Sequence, residues 1–219
     1  MNQIISSTTV TLRHADVPDN HRHLYTDNFR AAEQTGRYTL KGDGEEVYEP
    51  RFTFQGFRYV AVDGLPAEPT LENLTGIVIH SDMTASGSFE TSDALIAQLQ
   101  HNLVWGQKGN FLDVPTDCPQ RDERLGWTGD AQVFARTAAF NMDVAGFFTK
   151  WLGDLAADQK ANGSIPFVIP DVLTRGSDGG GGATGWADAG VVVPWTLYLV
   201  YGDTRILETQ YESMKAWIG

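Results

Sequence analysis

Cysteine is almost absent: Cys118 is the one thiol in 219 residues, so no internal disulfide framework holds the fold. Basic charge is scarce as well, with 16 lysines and arginines against 28 aspartates and glutamates and a formal net charge of −12. A nucleic-acid binder needs a basic face to neutralise phosphates, and no basic half hides behind the average. Residues 1–91 hold seven basic and thirteen acidic groups, and residues 92–219 hold nine and fifteen. No apolar run approaches the roughly 18 residues of a membrane helix, so no membrane span is expected. The stretch Met1–Ser6 has no basic start followed by an apolar segment. It does not read as a secretory signal, and a cytoplasmic setting is favoured. Histidine is sparse, and His21-Arg22-His23 has no third ligand nearby in sequence. The acidic spacing shows no calcium loop. Neither a metal nor a cofactor is expected.

The chain does hold 42% hydrophobic and 11% aromatic residues, enough for a packed core rather than disorder. Its first ~85 residues read as β. Segments 37–41, 51–54, 57–62 and 76–80 are short, aromatic or β-branched, and are punctuated by Gly, Pro and Asp. The aromatics in residues 37–60, such as Tyr48 and Phe57, read as core. Near Ser92 the period changes. Apolar residues at 95, 96, 99, 103 and 104 have helical spacing, with Ser92 as N-cap. Further helices are expected at about 130–141, 143–160, 186–201 and 204–218, with Gly202 closing one and Asp203 capping the next. Strands then helices make two regions, 1–86 and 87–219. Paired helices of similar length are consistent with a helical toroid. Gly179–Gly182 lacks the lysine of a phosphate loop and reads as a flexible loop.

Residues 110–132 concentrate the chemistry. Asp113, Asp117, Asp122, Glu123 and Asp130 sit with Arg121 and Arg124, between Phe111, Leu125 and Trp127. Pro115 and Pro119 forbid a continuous helix here. Carboxylates and guanidinium forks suit sugar hydroxyls, and an indole face suits the apolar side of a pyranose. Glycosidic cleavage needs a carboxylic acid and a second carboxylate. A structural ion-pair knot would use the same residue types.

The run Asp117-Cys-Pro-Gln-Arg-Asp-Glu-Arg-Leu-Gly-Trp-Thr-Gly-Asp130 closely resembles the signature of bacterial α-L-rhamnosidases of glycoside hydrolase family 78. Residues 24–30 and 48–59 are similar to the β-domain that precedes the catalytic domain there. Residues 105–111 and 185–189 also resemble family segments. The resemblance implies part of a β-sandwich followed by the first part of an (α/α)₆ barrel, with about five of its twelve helices. It implies an inverting hydrolase acting on rhamnose-containing glycosides or oligosaccharides. Glu123 would be the general acid. Asp117, Arg121 and Asp130 would bind rhamnose hydroxyls, and Trp127 and Trp186 would wall the sugar. The family's general base lies well downstream. After Glu123 this chain has only Glu208 and Glu212, and neither matches it. An internal fragment with the acid present and the base missing is therefore expected. The alternative is a non-catalytic carbohydrate-binding module built on the β region.

Overall fold

The structure, a computed structural model, describes residues 7–42, 44–174 and 180–219. It divides into two units. The first is Met1–Ile79 with Cys118–Arg124, and the second is His80–Asp117 with Leu125–Gly219. The division falls earlier than the boundary at 86/87 suggested by the change of period.

The first unit is built on a three-stranded antiparallel sheet. β1 (Thr9–Ala15) lies between β2 (Thr35–Thr39) and β3 (Tyr59–Asp63). Leu12 sits opposite Gly36 on one side and Val62 on the other. Ala15 and Phe29 are buried. The Arg13–Asp63 pair, 2.8 Å apart, spans the sheet in solvent and contributes at most about 1 kcal/mol.

Several expected strands differ. Segment 37–41 starts earlier, at Thr35, and 57–62 begins at Tyr59. Residues 51–54 and 76–80 form no strand, because a strand exists only through a ladder partner and these find none among the described residues. Phe52 also adopts φ 59°, which breaks an extended run. Tyr48 and Phe57, expected in the core, are partly exposed. Each leans on one neighbour instead: Tyr48 stacks on Tyr38 at 4.6 Å, and Phe57 lies 4.8 Å from the His14 ring. A three-stranded sheet is too narrow to cover them.

The second unit holds five helices among its described residues: α1 (Ala94–Asn110), α2 (Thr128–Asn141), α3 (Ala145–Asp158), α4 (Ala189–Tyr201) and α5 (Thr204–Ile218). Asp93, not Ser92, caps α1. Its Oδ1 accepts from the amides of Leu95 (2.9 Å) and Ile96 (3.2 Å), and its charge also suits the helix N-terminus. Gly202 closes α4 at φ 68°, a left-handed conformation that glycine adopts without strain. Asp203 then caps α5 through the Arg205 amide at 2.9 Å.

The core of this unit is aromatic and aliphatic. α3 buries Phe148, Trp151, Leu152 and Leu155 on one stripe, each worth about 1.5–3 kcal/mol of burial. α2, packed mainly against α4, adds Ala131, Ala135 and Ala138 to the same core, small residues at helical spacing that permit close packing. Ile165, Val168 and Ile169 thread through the same core. Apolar side chains also remain exposed on α1 (Leu95, Leu99), α2 (Val133, Phe140) and α4 (Trp195, Leu199). Gly180–Gly182, expected as a flexible loop, is tied down: the Gly182 amide donates to Ile165 O at 2.9 Å, and Gly181 bridges Pro166. Asp178 and Gly179 lie outside the described residues.

A buried ion pair fastens the segment after α3. Lys160 Nζ lies 2.6 Å from Asp171 Oδ2 and 2.9 Å from Thr174 Oγ1, and the Asp171 carboxylate is 5% exposed. Burial is the largest single influence on Asp171 and pushes its carboxyl up. The Lys160 and Thr174 hydrogen bonds together outweigh it and hold the group below its ordinary range. A lowered folded-state value means that this contribution is complete at neutral pH and lost as pH falls through that value. Lys160→Met is expected to destabilise the chain by about 3–5 kcal/mol in urea unfolding at neutral pH, because it leaves a buried charge alone. Asp171→Asn is expected to lose less stability than wild type between neutral pH and about pH 3. Equal acid sensitivity in the two proteins would contradict the assignment.

Candidate active site

The residues singled out from the sequence fall in both units. Arg121 and Glu123 belong to the first, and Asp117, Trp127, Asp130 and Trp186 to the second. Cys118–Arg124 group with the sheet unit although the residues on both sides belong to the helical one.

Within the first unit this seven-residue loop is held at many points. The Gln34 side-chain amide donates to the Gln120 carbonyl, and Gln34 is itself buried. The Ala31 amide donates to Asp122 Oδ2 at 3.2 Å. Arg124 Nη1 donates to Phe54 O at 3.3 Å, and its guanidinium lies over the Phe54 ring. Gly56 packs directly on Pro119: a Cβ at Gly56 would sit 2.8 Å from Pro119 backbone carbon.

Glu123 is the focus of the loop. Its Oε2 accepts from Arg121 Nε at 2.8 Å and lies 3.1 Å from Arg30 Nη1. Arg30 also approaches Asp122 at 3.9 Å. The Glu123 side chain is 25% exposed, so it is both oriented and reachable from solvent. Arg30 is the residue that sequence reasoning missed. It stands in the segment 24–30, but nothing local ties it to a loop about 90 residues later.

In the second unit, Asp117 and Leu125 pinch the neck of the loop. The Asp117 amide donates to Leu125 O at 3.2 Å, and Leu125 N donates to Asp117 Oδ1 at 3.3 Å. Gly126 then lies against Ile169 so closely that a Cβ would fall 2.1 Å from its carbonyl oxygen. Ile169 N donates to Gly126 O at 2.8 Å, and Thr128 N to Phe167 O at 2.9 Å. Trp127 is bridged to Val168 between them. This places Asp130 in the first turn of α2.

A cavity of about 670 Å³ opens beside that turn. Asp117, Asp130 and Trp186 line it, with Asn110, Thr116 and the apolar Leu103, Phe111 and Phe134. A volume of this size holds a small-molecule ligand. Trp186 packs on Gly129, where a Cβ would be 3.0 Å from its Cδ1, and meets Phe167 edge-on at 5.8 Å. Asp188 supports this wall rather than lining it. It accepts from Gly185 N at 2.9 Å and from Trp217 Nε1 at 3.1 Å. Trp127 does not line the cavity; its indole N–H is buried and finds no acceptor among the described residues. Asp113 stands apart at the β4–β5 turn (Phe111–Leu112 and Val114–Pro115), 3.3 Å from Lys150. No group of His, Cys, Asp and Glu among the described residues is arranged to hold a metal ion.

Residues 84–219 match the bacterial alpha-L-rhamnosidase 6 hairpin glycosidase domain, and residues 3–80 match the bacterial alpha-L-rhamnosidase concanavalin-like domain. The chain is 51% identical over 213 residues to an alpha-L-rhamnosidase of Streptomyces avermitilis, covering 97% of this chain and 20% of that protein. It is 45% identical to one from Formosa agariphila, covering 96% of this chain and 22% of that one. Among solved structures, the Streptomyces avermitilis alpha-L-rhamnosidase complexed with L-rhamnose superposes with a TM-score of 0.94, covering 98% of this chain and 20% of that one. The alpha-L-rhamnosidase of Dictyoglumus thermophilum gives 0.93 at 42% identity, covering all of this chain and 24% of that one. The chain thus spans about a fifth of the length of the relatives it matches.

The seating of the loop is directly testable. Gly56→Val is expected to speed amide exchange at residues 120–124 by about tenfold or more, while α5 stays protected. Unchanged exchange at 120–124 would show that the Gly56–Pro119 contact does not hold the loop.

Proposed function

The chain belongs to the bacterial α-L-rhamnosidases, and we propose that it carries the acid-bearing part of a glycosidase that removes terminal α-L-rhamnose with inversion of configuration. The observation that carries this reading is the match to the glycosidase domain over residues 84–219. The L-rhamnose held by the Streptomyces avermitilis relative supports the sugar class.

Glu123 protonates the leaving glycosidic oxygen. Arg121 and Arg30, both on Oε2, fix the orientation of the carboxyl group. Asp117 and Asp130 accept from sugar hydroxyls and Arg121 donates to them, which gives directional recognition. Trp186 offers an indole face to the apolar side of the pyranose. Trp127 acts by fixing the start of α2 through its bridge to Val168. Inversion requires a second carboxylate that activates water, with the two carboxyl groups about 6.5–9.5 Å apart. Glu208 and Glu212 are exposed on α5, and Glu212 is engaged by Lys215 at 3.1 Å. Neither suits the role, so the base comes from outside these 219 residues. The exposed rings of Tyr48 and Phe57 would favour a sugar-binding module on the sheet, but that reading leaves the helical unit without a role.

The purified chain is expected to release no measurable aryl alcohol from an aryl α-L-rhamnoside. In a protein of the relatives' length that contains this chain, Glu123→Gln is expected to lower kcat about 10²–10⁴-fold with little change in KM. Robust turnover by the chain alone would overturn the missing base. Full turnover by the Glu123→Gln protein would overturn the acid.

A further inference from the structure

A second cavity, of about 650 Å³, lies wholly within the helical unit and shares no lining residue with the first. Its titratable lining groups are all basic: His80, Lys108 and Arg136. No carboxylate lines it, in a chain with 28 acidic residues. Asp82 and Asp143 are close in sequence but stay outside the lining. Among the described residues neither the Arg136 nor the Lys108 side chain has a hydrogen bond or ion pair, and Lys108 lies over the Trp105 ring, 5.1 Å from its centroid. Arg136 is exposed and Lys108 half-buried, so two cations with no carboxylate beside them on the lining can reach an anion from solvent.

The cavity is built rather than incidental. Its rim is stitched to the end of α2, with Ser86 N donating to Asn141 O at 3.0 Å, Ala85 bridging Met142, and Ser86 Oγ donating to Ala139 O at 3.2 Å. Behind it runs a chain of amides. Gln100 Nε2 donates to Asn141 Oδ1 at 2.9 Å, and Asn141 Nδ2 donates to the buried Gln107 Oε1 at 3.0 Å. These bonds fix Gln100 and Asn141 on the lining and leave the Gln100 carbonyl without a partner among the described residues. The exposed Phe140 ring completes the set.

We propose that this cavity binds a carboxylate-bearing sugar, a uronate unit, as a site separate from the rhamnose site. Arg136 and Lys108 take the carboxylate as charge-assisted donors. The fixed amides meet hydroxyls, and the Phe140 face carries the apolar side of the ring. A bare inorganic anion would use the cations alone and leave the amides and the aromatic ring idle. The proposal does not depend on the role of Glu123.

The test is a titration of the purified chain with D-galacturonate, followed by amide NMR. Saturable shifts are expected at Gln100, Lys108, Arg136 and Asn141, and neutral D-galactose is expected to bind about tenfold more weakly or worse. Arg136→Gln, an exposed and conservative change, is expected to weaken galacturonate about tenfold with the melting temperature unchanged. Lys108→Gln is a second, independent variant with the same expectation. Equal affinity for galactose would overturn the proposal, as would galacturonate binding that neither variant weakens. Inorganic phosphate binding as tightly as galacturonate would also overturn it, by making this a simple anion site. No saturable shift at these residues would overturn it outright.

Discussion

Everything around the first cavity of the helical unit hangs on the approach of Gly126 to Ile169. The contact is close enough to exclude even a methyl group, and the backbone bonds on either side convert it into a short two-strand clasp. The clasp sets where α2 begins, and so where Asp130 stands. The Trp151 indole closes it from the core by donating to the same Ile169 carbonyl at 3.3 Å.

The loop Cys118–Arg124 obeys a different constraint. Its seven residues are seated on the sheet unit by Gln34, Ala31, Arg30, Phe54 and Gly56. Glu123 is thus carried by the first unit, and Asp117 and Asp130 by the second. The first unit therefore orients the Glu123 side chain. Arg30 reaches Glu123 Oε2 at 3.1 Å from about 90 residues earlier in the chain.

How much was legible in the sequence follows from the range of the interactions. Helices α2 to α5 were readable because period and caps are local: Gly202 and Asp203 lie side by side and mark one end and one start. The cap of α1 slipped by one residue because Ser92 and Asp93 are both good caps and geometry chose the carboxylate. The strands were harder. Segment 76–80 has the composition of a strand but no partner among the described residues, and β1 has partners although its own pattern is unremarked. The signature run named the candidate site residues, but it could not divide them between the two units. That Glu123 folds with Arg30, and Asp117 with Leu125, depends on contacts between distant parts of the chain that no window of sequence contains.

The central claim is that this chain holds the rhamnose-binding face and the acid of an inverting rhamnosidase. Mapping L-rhamnose onto the purified chain by amide and indole NMR tests it most directly. The account predicts saturable shifts at Asp117, Asp130 and the Trp186 indole, around the cavity that they line. Shifts confined to the sheet unit, at Tyr48 and Phe57, would contradict it.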